Sequence, residues 1–161
     1  MTRNQYIKLI GISGSVILVD QLVKWLITET MPLYQSIPVI PGFFNLTHIQ
    51  NTGGAFGFLA HQGMGLRIAI FIVVSSLAAG FIFYLYKKTV DTLPFLSSGF
   101  ALLFGGAIGN LIDRIRFGRV TDFLDVYIGT LHWPVFNVAD SAVSIGITIF
   151  LYHFLFNKIP D

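Results

Sequence analysis

The residues best suited to chemistry in this sequence are the acids and amides of residues 105–140, between two apolar segments. Asp122 and Asp140 are far enough apart for the chain to leave and return, which allows their carboxyl groups to meet. Two carboxylates held together can share one proton, so that one acts as base on water and the other as acid toward a carbonyl. This is aspartic-protease chemistry, which needs neither a metal nor another cofactor.

Other hydrolytic chemistries fit the sequence less well. The absence of cysteine excludes disulfides, thiolate catalysis and cysteine-based zinc sites. No serine or lysine has a convincing general-base partner, and no pair of histidines has metal-ligand spacing. We expect His48 and His61 to be surface or interface histidines, and we expect no metal or cofactor.

The residues alone leave the choice of carboxylates open. If residues 120–125 form a strand, Asp122 and Asp125 point to opposite faces, so only one of them can face Asp140. Asp140 also has a simpler interpretation, in which Asn137 caps a helix and Asp140 interacts favourably with its dipole. Asp113 and Asp125 are predicted to be partners of nearby arginines.

The segments that must position these residues have the composition of a membrane protein. Of the 161 residues, 54% are hydrophobic and only 11% are charged, whereas soluble domains average about 25% charged residues. We predict one α-helical membrane domain, 1–161, with four spans at approximately 8–27, 68–86, 94–112 and 136–156. The net charge of +2 is too small to indicate a nucleic-acid partner, and we expect a monomer surrounded by membrane lipid.

The two long connections, 28–67 and 113–135, are predicted to lie on the same outer side of the membrane. Lys87 and Lys88 belong to the short connection between the second and third spans, which favours cytoplasmic termini. Residues 42–50 and 119–129 are rich in the aromatic and β-branched types that are typical of strands. We therefore predict a small extracytoplasmic β-sheet, built from both connections, that rests on the membrane.

Charged and small residues within the spans indicate where helices meet. Asp20 and Lys24 are four residues apart and share a helix face. Each would cost roughly 2.5–3.5 kcal/mol at the bilayer centre, so we expect them to face protein or water, as a structural ion pair or as support for a polar site. Gly105 and Gly109 permit close helix approach.

Four ordered motifs give the chain a resemblance to the bacterial lipoprotein signal peptidases, the signal peptidase II family. They are VDQLVKW (19–25), QNTGGAFGFL (50–59), GGAIGNLIDRIRFGRVTDFLD (105–125) and FNVADSAVSIG (136–146). The resemblance implies an aspartic endopeptidase of the bacterial inner membrane. Such an enzyme cuts the signal peptide from prolipoproteins, N-terminal to a cysteine that already carries diacylglyceryl, and is sensitive to globomycin-type inhibitors.

The resemblance also assigns residues. It implies that Asp122, in V-x-D-F, and Asp140, in N-x-A-D, are the catalytic aspartates. The residues that it implies bind substrate or brace the site are Asp20, Lys24, Asn51, Gly53, Asn110, Arg114 and Asn137. Gly54 stands where an alanine is common in the family, which leaves every polar position intact.

Two other classes of protein are the main alternatives. A small transporter or proton channel would use Asp20, Lys24 and Asp140 as a relay, but no inverted repeat is visible and the polar residues gather at one membrane face. A scaffold that packs through Gly105 and Gly109 gives no reason for the interfacial aspartates and asparagines. A presenilin-like protease is disfavoured because neither aspartate lies in a GxGD motif.

Overall fold

The computed structural model describes residues 2–52 and 63–156. These residues form four long helices, which are α1 (Arg3–Thr30), α2 (Met64–Thr89), α3 (Pro94–Phe117) and α4 (Val138–Leu155). All four are long and apolar enough to cross a membrane. The predicted fold class, four membrane-spanning helices with a small sheet, is confirmed.

Helix α3 lies at the centre of the bundle and contacts α1, α2 and α4. In its most apolar stretch 56% of the residues are buried, against 6% for α2. Glycines bring the neighbouring helices close to it, as the sequence predicts. A Cβ atom on Gly105 would lie 2.9 Å from Ser13 Cα in α1, and one on Gly106 would collide with the carbonyl oxygen of Ala139 in α4.

The two long connections fold together into one antiparallel sheet. Its strands are β1 (Ser36–Ile40), β2 (Phe44–Asn51), β3 (Val120–Ile128) and β4 (Leu131–His132), in the spatial order β1-β2-β3-β4. Strand β2 comes from the first connection and β3 from the second, with Ile49 opposite Asp122. The sheet therefore ties both connections to the helix ends that they join.

The end of α3 differs from the predicted span. The helix continues past residue 112 to Phe117 and ends where Gly118 adopts a left-handed φ of 67°, a conformation that glycine adopts without steric cost. The second connection consequently begins later than predicted. Asp113 and Arg114 belong to the last turns of α3 rather than to a loop.

Three smaller details also differ from expectation or lie outside the described residues. Strand β1 is an addition to the predicted sheet, and it contains Pro38, which an edge strand tolerates. His48 is buried, with its Nδ1 2.8 Å from the Met31 carbonyl oxygen, so its prediction as a surface or interface residue is wrong. His61 and Gly53 lie outside the described residues.

The close contact between α3 and α4 predicts an effect on stability. Gly106→Ala would place a methyl group against the Ala139 carbonyl oxygen and 2.7 Å from Val143 Cγ2. Overpacking of this kind costs about 1–3 kcal/mol. We expect a lower midpoint of thermal unfolding in detergent micelles.

Gly80→Ala in α2 is the matched control, because nothing lies within 4 Å of the added Cβ. Alanine favours a helix over glycine by up to about 1 kcal/mol, so the midpoint of this variant should stay the same or rise. Equal midpoints for the two variants would contradict the role of Gly106 in helix packing.

Candidate active site

Asp122 and Asp140 line one cleft, which lies between the sheet and the start of α4. Its volume is about 570 Å³. Asn51, Asn110 and Arg114 line the same cleft, so it gathers residues from β2, β3, α3 and α4. The chain thus brings together two carboxylates and three polar side chains that are far apart in sequence.

Asp122 is held on β3 by two amide donors and is only 3% exposed. Its Oδ1 accepts a hydrogen bond from Asn137 Nδ2 at 2.7 Å, and its Oδ2 accepts one from Asn51 Nδ2 at 3.1 Å. Asp125 has a separate set of partners, which includes Asn45 and does not include any group that binds Asp122. Of the two β3 aspartates, only Asp122 lines the cleft with Asp140, as strand alternation predicts.

Asp140 is half-buried and lies in the first turn of α4. Its Oδ1 accepts from Asn110 Nδ2 at 2.7 Å, and its Oδ2 accepts from the Asn137 backbone N–H at 3.3 Å. The Asn137 side chain in turn caps the helix by accepting from the Asp140 N–H at 2.8 Å. The capping role is therefore present, and it leaves lone pairs of both Asp140 oxygens available in the cleft.

Asn137 joins the two carboxylates. Its backbone N–H binds Asp140, while its side-chain Nδ2 donates to Asp122 and also lies 3.2 Å from Asn110 Oδ1. The residue is fully buried. A single buried residue thus fixes the position of both acids.

A buried cation fixes the remaining amide. Lys24 Nζ lies 2.7 Å from Asp20 Oδ2 and 2.8 Å from Asp113 Oδ2, and it donates to Asn110 Oδ1 at 2.9 Å. Because an ammonium group can only donate, the oxygen of Asn110 must face Lys24 and its NH₂ group must face Asp140. The predicted Asp20–Lys24 pair is confirmed. Through Lys24 it orients the Asn110 amide that donates to Asp140.

Asp20 also connects α1 to α4. Its Oδ1 accepts from the Ala139 backbone N–H at 2.9 Å, and the residue has no exposed surface. This contact depends on Gly109, since a Cβ there would lie 3.0 Å from Asp20 Oδ2. Gln21 completes the network by donating to Asp113 Oδ1 at 2.7 Å. Gln21 was not predicted as a site residue, and its position next to Asp20 in the first motif was the one feature that could have indicated this role.

The prediction that arginines pair with Asp113 and Asp125 is wrong. Asp113 lies on the face of α3 that meets α1, so its partners come from α1, as described above. Asp125 binds His132, whose Nδ1 lies 2.7 Å from Asp125 Oδ1. Arg114 instead lies with its guanidinium 5.2 Å from the ring centre of Phe71 and lines the cleft.

The electrostatic environment of Asp122 differs from that of an ordinary aspartate. Burial and, after it, the negative charge of Asp140 raise the pKa of Asp122 to about 6. Hydrogen bonds from Asn51 and Asn137 and the charge of Lys24 act in the opposite direction and are outweighed. A buried acid with a raised pKa beside a second acid is the arrangement in which a pair shares one proton.

The architecture defines a polytopic membrane enzyme with an acidic cleft beside its sheet, and comparison with known proteins agrees. The family model described as signal peptidase (SPase) II matches residues 12–156. The lipoprotein signal peptidase of Desulforapulum autotrophicum is 53% identical over 161 residues, which are 100% of this chain and 99% of the relative. That of Geobacter sulfurreducens is 52% identical over 136 residues, 84% of this chain and 83% of the relative.

Two solved structures, each described as a bacterial membrane enzyme, have the same fold. One has a TM-score of 0.83 and 34% identity and covers 93% of this chain and 88% of its own. The other has a TM-score of 0.81 and 35% identity and covers 91% and 92%. The chain belongs to the signal peptidase II family. It is accordingly a protease and a multi-pass protein of the bacterial inner membrane.

The buried cation gives a prediction for stability. Lys24→Met would leave Asp20 and Asp113 buried without their positive partner. Removal of one member of a buried ion pair costs about 3–5 kcal/mol. We expect a large fall in the midpoint of thermal unfolding, whereas Lys87→Met, at an exposed lysine, should change it little.

A triple variant separates charge from packing. Lys24→Met combined with Asp20→Asn and Asp113→Asn removes the unpaired charges and retains similar side-chain volumes. It should recover most of the stability that Lys24→Met loses. A triple variant no more stable than the single variant would show that packing, not charge, explains the loss.

The raised pKa of Asp122 gives a second prediction. Infrared spectroscopy of the protonated carboxyl group should show Asp122 titrating near pH 6. In Asp140→Asn the neighbouring negative charge is absent, so ionisation of Asp122 becomes easier and its pKa should fall. Asp122→Asn identifies the band, and an unchanged titration in Asp140→Asn would contradict the coupling.

Proposed function

We propose that this chain removes the signal peptide from diacylglyceryl-modified prolipoproteins by cleaving N-terminal to the lipidated cysteine, with Asp122 and Asp140 as its catalytic pair. The family supports the class of reaction and the class of substrate. The assignment of the pair rests on one observation. Both carboxyl groups line a single cleft, and both are bound by the same buried residue, Asn137.

The reaction follows from one proton shared by the pair. In the form of the enzyme that reacts, Asp122, whose pKa is raised by burial and by the charge of Asp140, carries the proton, and Asp140 acts as the base. Asp140 takes a proton from a water molecule while the oxygen of that water attacks the scissile carbonyl carbon. At the same time Asp122 protonates the carbonyl oxygen. The resulting diol then collapses. The carbon–nitrogen bond breaks, the leaving amine takes the proton from Asp140, and Asp122 regains its own from a diol hydroxyl.

The other polar residues bind substrate or position the pair. Arg114 carries a permanent positive charge in the cleft and is placed to stabilise the oxygen on which negative charge develops. Asn51, Asn110 and Asn137 donate to the carboxylates and hold their orientation. Lys24 acts through Asn110. Asp20 acts through Lys24 and the start of α4, and Gly53 is assigned to the site by the family resemblance alone.

The membrane arrangement that suits this reaction has both termini in the cytoplasm and the cleft near the outer face. Lys87 and Lys88 are exposed in the last turn of α2, as expected for a cytoplasmic end. The sheet and the acidic pair lie at the other end of the helices. The lipidated substrate would enter sideways from the bilayer, with its acyl chains in lipid and its signal helix along the bundle.

The test is cleavage of a diacylglyceryl-modified prolipoprotein by the purified protein. Asp122→Asn and Asp140→Asn should each lower kcat at least about a thousandfold, because each removes a proton donor or acceptor from the reaction. Wild-type cleavage should persist in a chelator and should be blocked by globomycin. Substantial activity in either variant would overturn the assignment of that residue.

Asp125→Asn is the matched control. Asp125 is buried in the same strand, 4% exposed, but its carboxylate binds Asn45, Thr47 and His132 and does not line the cleft. Its cleavage rate should stay within a few-fold of wild type. A loss equal to that of the catalytic variants would indicate that any buried charge in β3 is required for folding.

A further inference from the structure

One wall of the cleft is a segment, residues 133–136, that continues from β4. The segment runs alongside β3: Trp133 N–H donates to the Val126 carbonyl at 2.8 Å, and Phe136 N–H donates to the Leu124 carbonyl at 3.1 Å. All four of its residues line the cleft. Side chains of an extended strand alternate between two faces, so four consecutive lining residues indicate that the cleft follows the edge of the segment.

Val135 presents free backbone groups along this edge. Within residues 2–52 and 63–156, neither its N–H nor its carbonyl has a hydrogen-bond partner. Its neighbour Phe136 uses both backbone groups to pair with β3. Trp133 and Phe136 both pair with β3 although they are three residues apart, so the regular alternation of a strand is interrupted between them. The backbone groups of Val135 are left out of the pairing with β3 at this interruption.

We propose that residues 133–136 bind the substrate segment beside the scissile bond as an added β-strand. In this arrangement the Val135 N–H donates to a substrate carbonyl, and the Val135 carbonyl accepts from a substrate N–H. The inference rests on the proposed function, since it takes the cleft of Asp122 and Asp140 as the site of cleavage. An extended peptide paired with Val135 lies beside both acids, because all three line the same cleft.

This form of recognition has a consequence for specificity. Pairing through the backbone contributes affinity that does not depend on the substrate side chain at that position. The other open edge of the sheet does not offer the same site. Strand β1 is fully exposed, but β2 separates it from β3 and none of its residues lines the cleft.

The first test uses wild-type enzyme and synthetic diacylglyceryl lipopeptides in which one peptide bond at a time, other than the scissile bond, is replaced by an ester. An ester removes one N–H and weakens one carbonyl acceptor. Val135 offers one donor and one acceptor, which pair with the two peptide groups on either side of one substrate residue. KM should therefore rise for the esters at these two adjacent bonds and stay near the all-amide value for the others. A rise of about three- to tenfold corresponds to one lost hydrogen bond, with kcat little changed.

The second test removes the donor from the enzyme. Val135→Pro deletes the N–H, and proline is compatible with an extended backbone both at its own position and at the residue before it. Its KM should rise about three- to tenfold, with kcat little changed. The ester that weakens the paired carbonyl should cause no further loss in Val135→Pro.

The outcomes separate this inference from the proposed function. Wild-type enzyme that fails to cleave the all-amide lipopeptide would overturn both. Cleavage with equal KM values for all esters, or with losses that are not confined to two adjacent bonds, would overturn only the added strand. If Val135→Pro does not fold, the ester series on wild-type enzyme still decides whether the substrate binds as an added strand. If Val135→Pro folds and the KM increases caused by this variant and by the ester that weakens the paired carbonyl add together, the carbonyl pairs with a residue other than Val135. This result would overturn the role of Val135.

Discussion

The structure depends on one ammonium group buried among acids and an amide. Lys24 binds both Asp20 and Asp113 and determines the direction in which the Asn110 amide points. Removal of an ion from water is expensive, and only close opposite charges with well-aligned hydrogen bonds offset that cost. The resulting network has little freedom to rearrange. Lys24 does not bind Asp140 itself. It holds the side-chain amide of Asn110, and this amide donates to Asp140.

Close helix packing makes this network possible. Small residues of α3 let α1 and α4 approach it on two sides, and Gly109 in particular leaves room for the Asp20 carboxylate. Asp20 then binds the Ala139 N–H in the first turn of α4. The start of α4 is therefore set by α1 and α3 as well as by its own cap, and Asp140 is set with it. The close approach of α1, α3 and α4 therefore provides both the packing of the helices and the positions of the polar groups.

Much of this could be predicted from the sequence, for identifiable reasons. Long apolar runs define helices, and Asp20 and Lys24 had to share a face because of helical spacing alone. Strand alternation separated Asp122 from Asp125. The partners of Asp113 could not be predicted, because they depend on α3 continuing to Gly118 and on the angle at which it meets α1. The proposed role of residues 133–136 could not be predicted either, since it depends on unpaired backbone N–H and carbonyl groups rather than on the types of side chain.

Asn137 is both the cap of α4 and the link between Asp122 and Asp140. The acidic pair is therefore complete only after the last helix has begun and has docked against α1, α3 and the sheet. During synthesis, a chain with three inserted helices has one acid on β3 and no partner for it. With Asp122 and Asp140 as the proposed catalytic pair, the active site requires α4, the last helix to be synthesised. A chain that lacks α4 therefore carries no complete pair of acids with which to attack neighbouring proteins in the membrane.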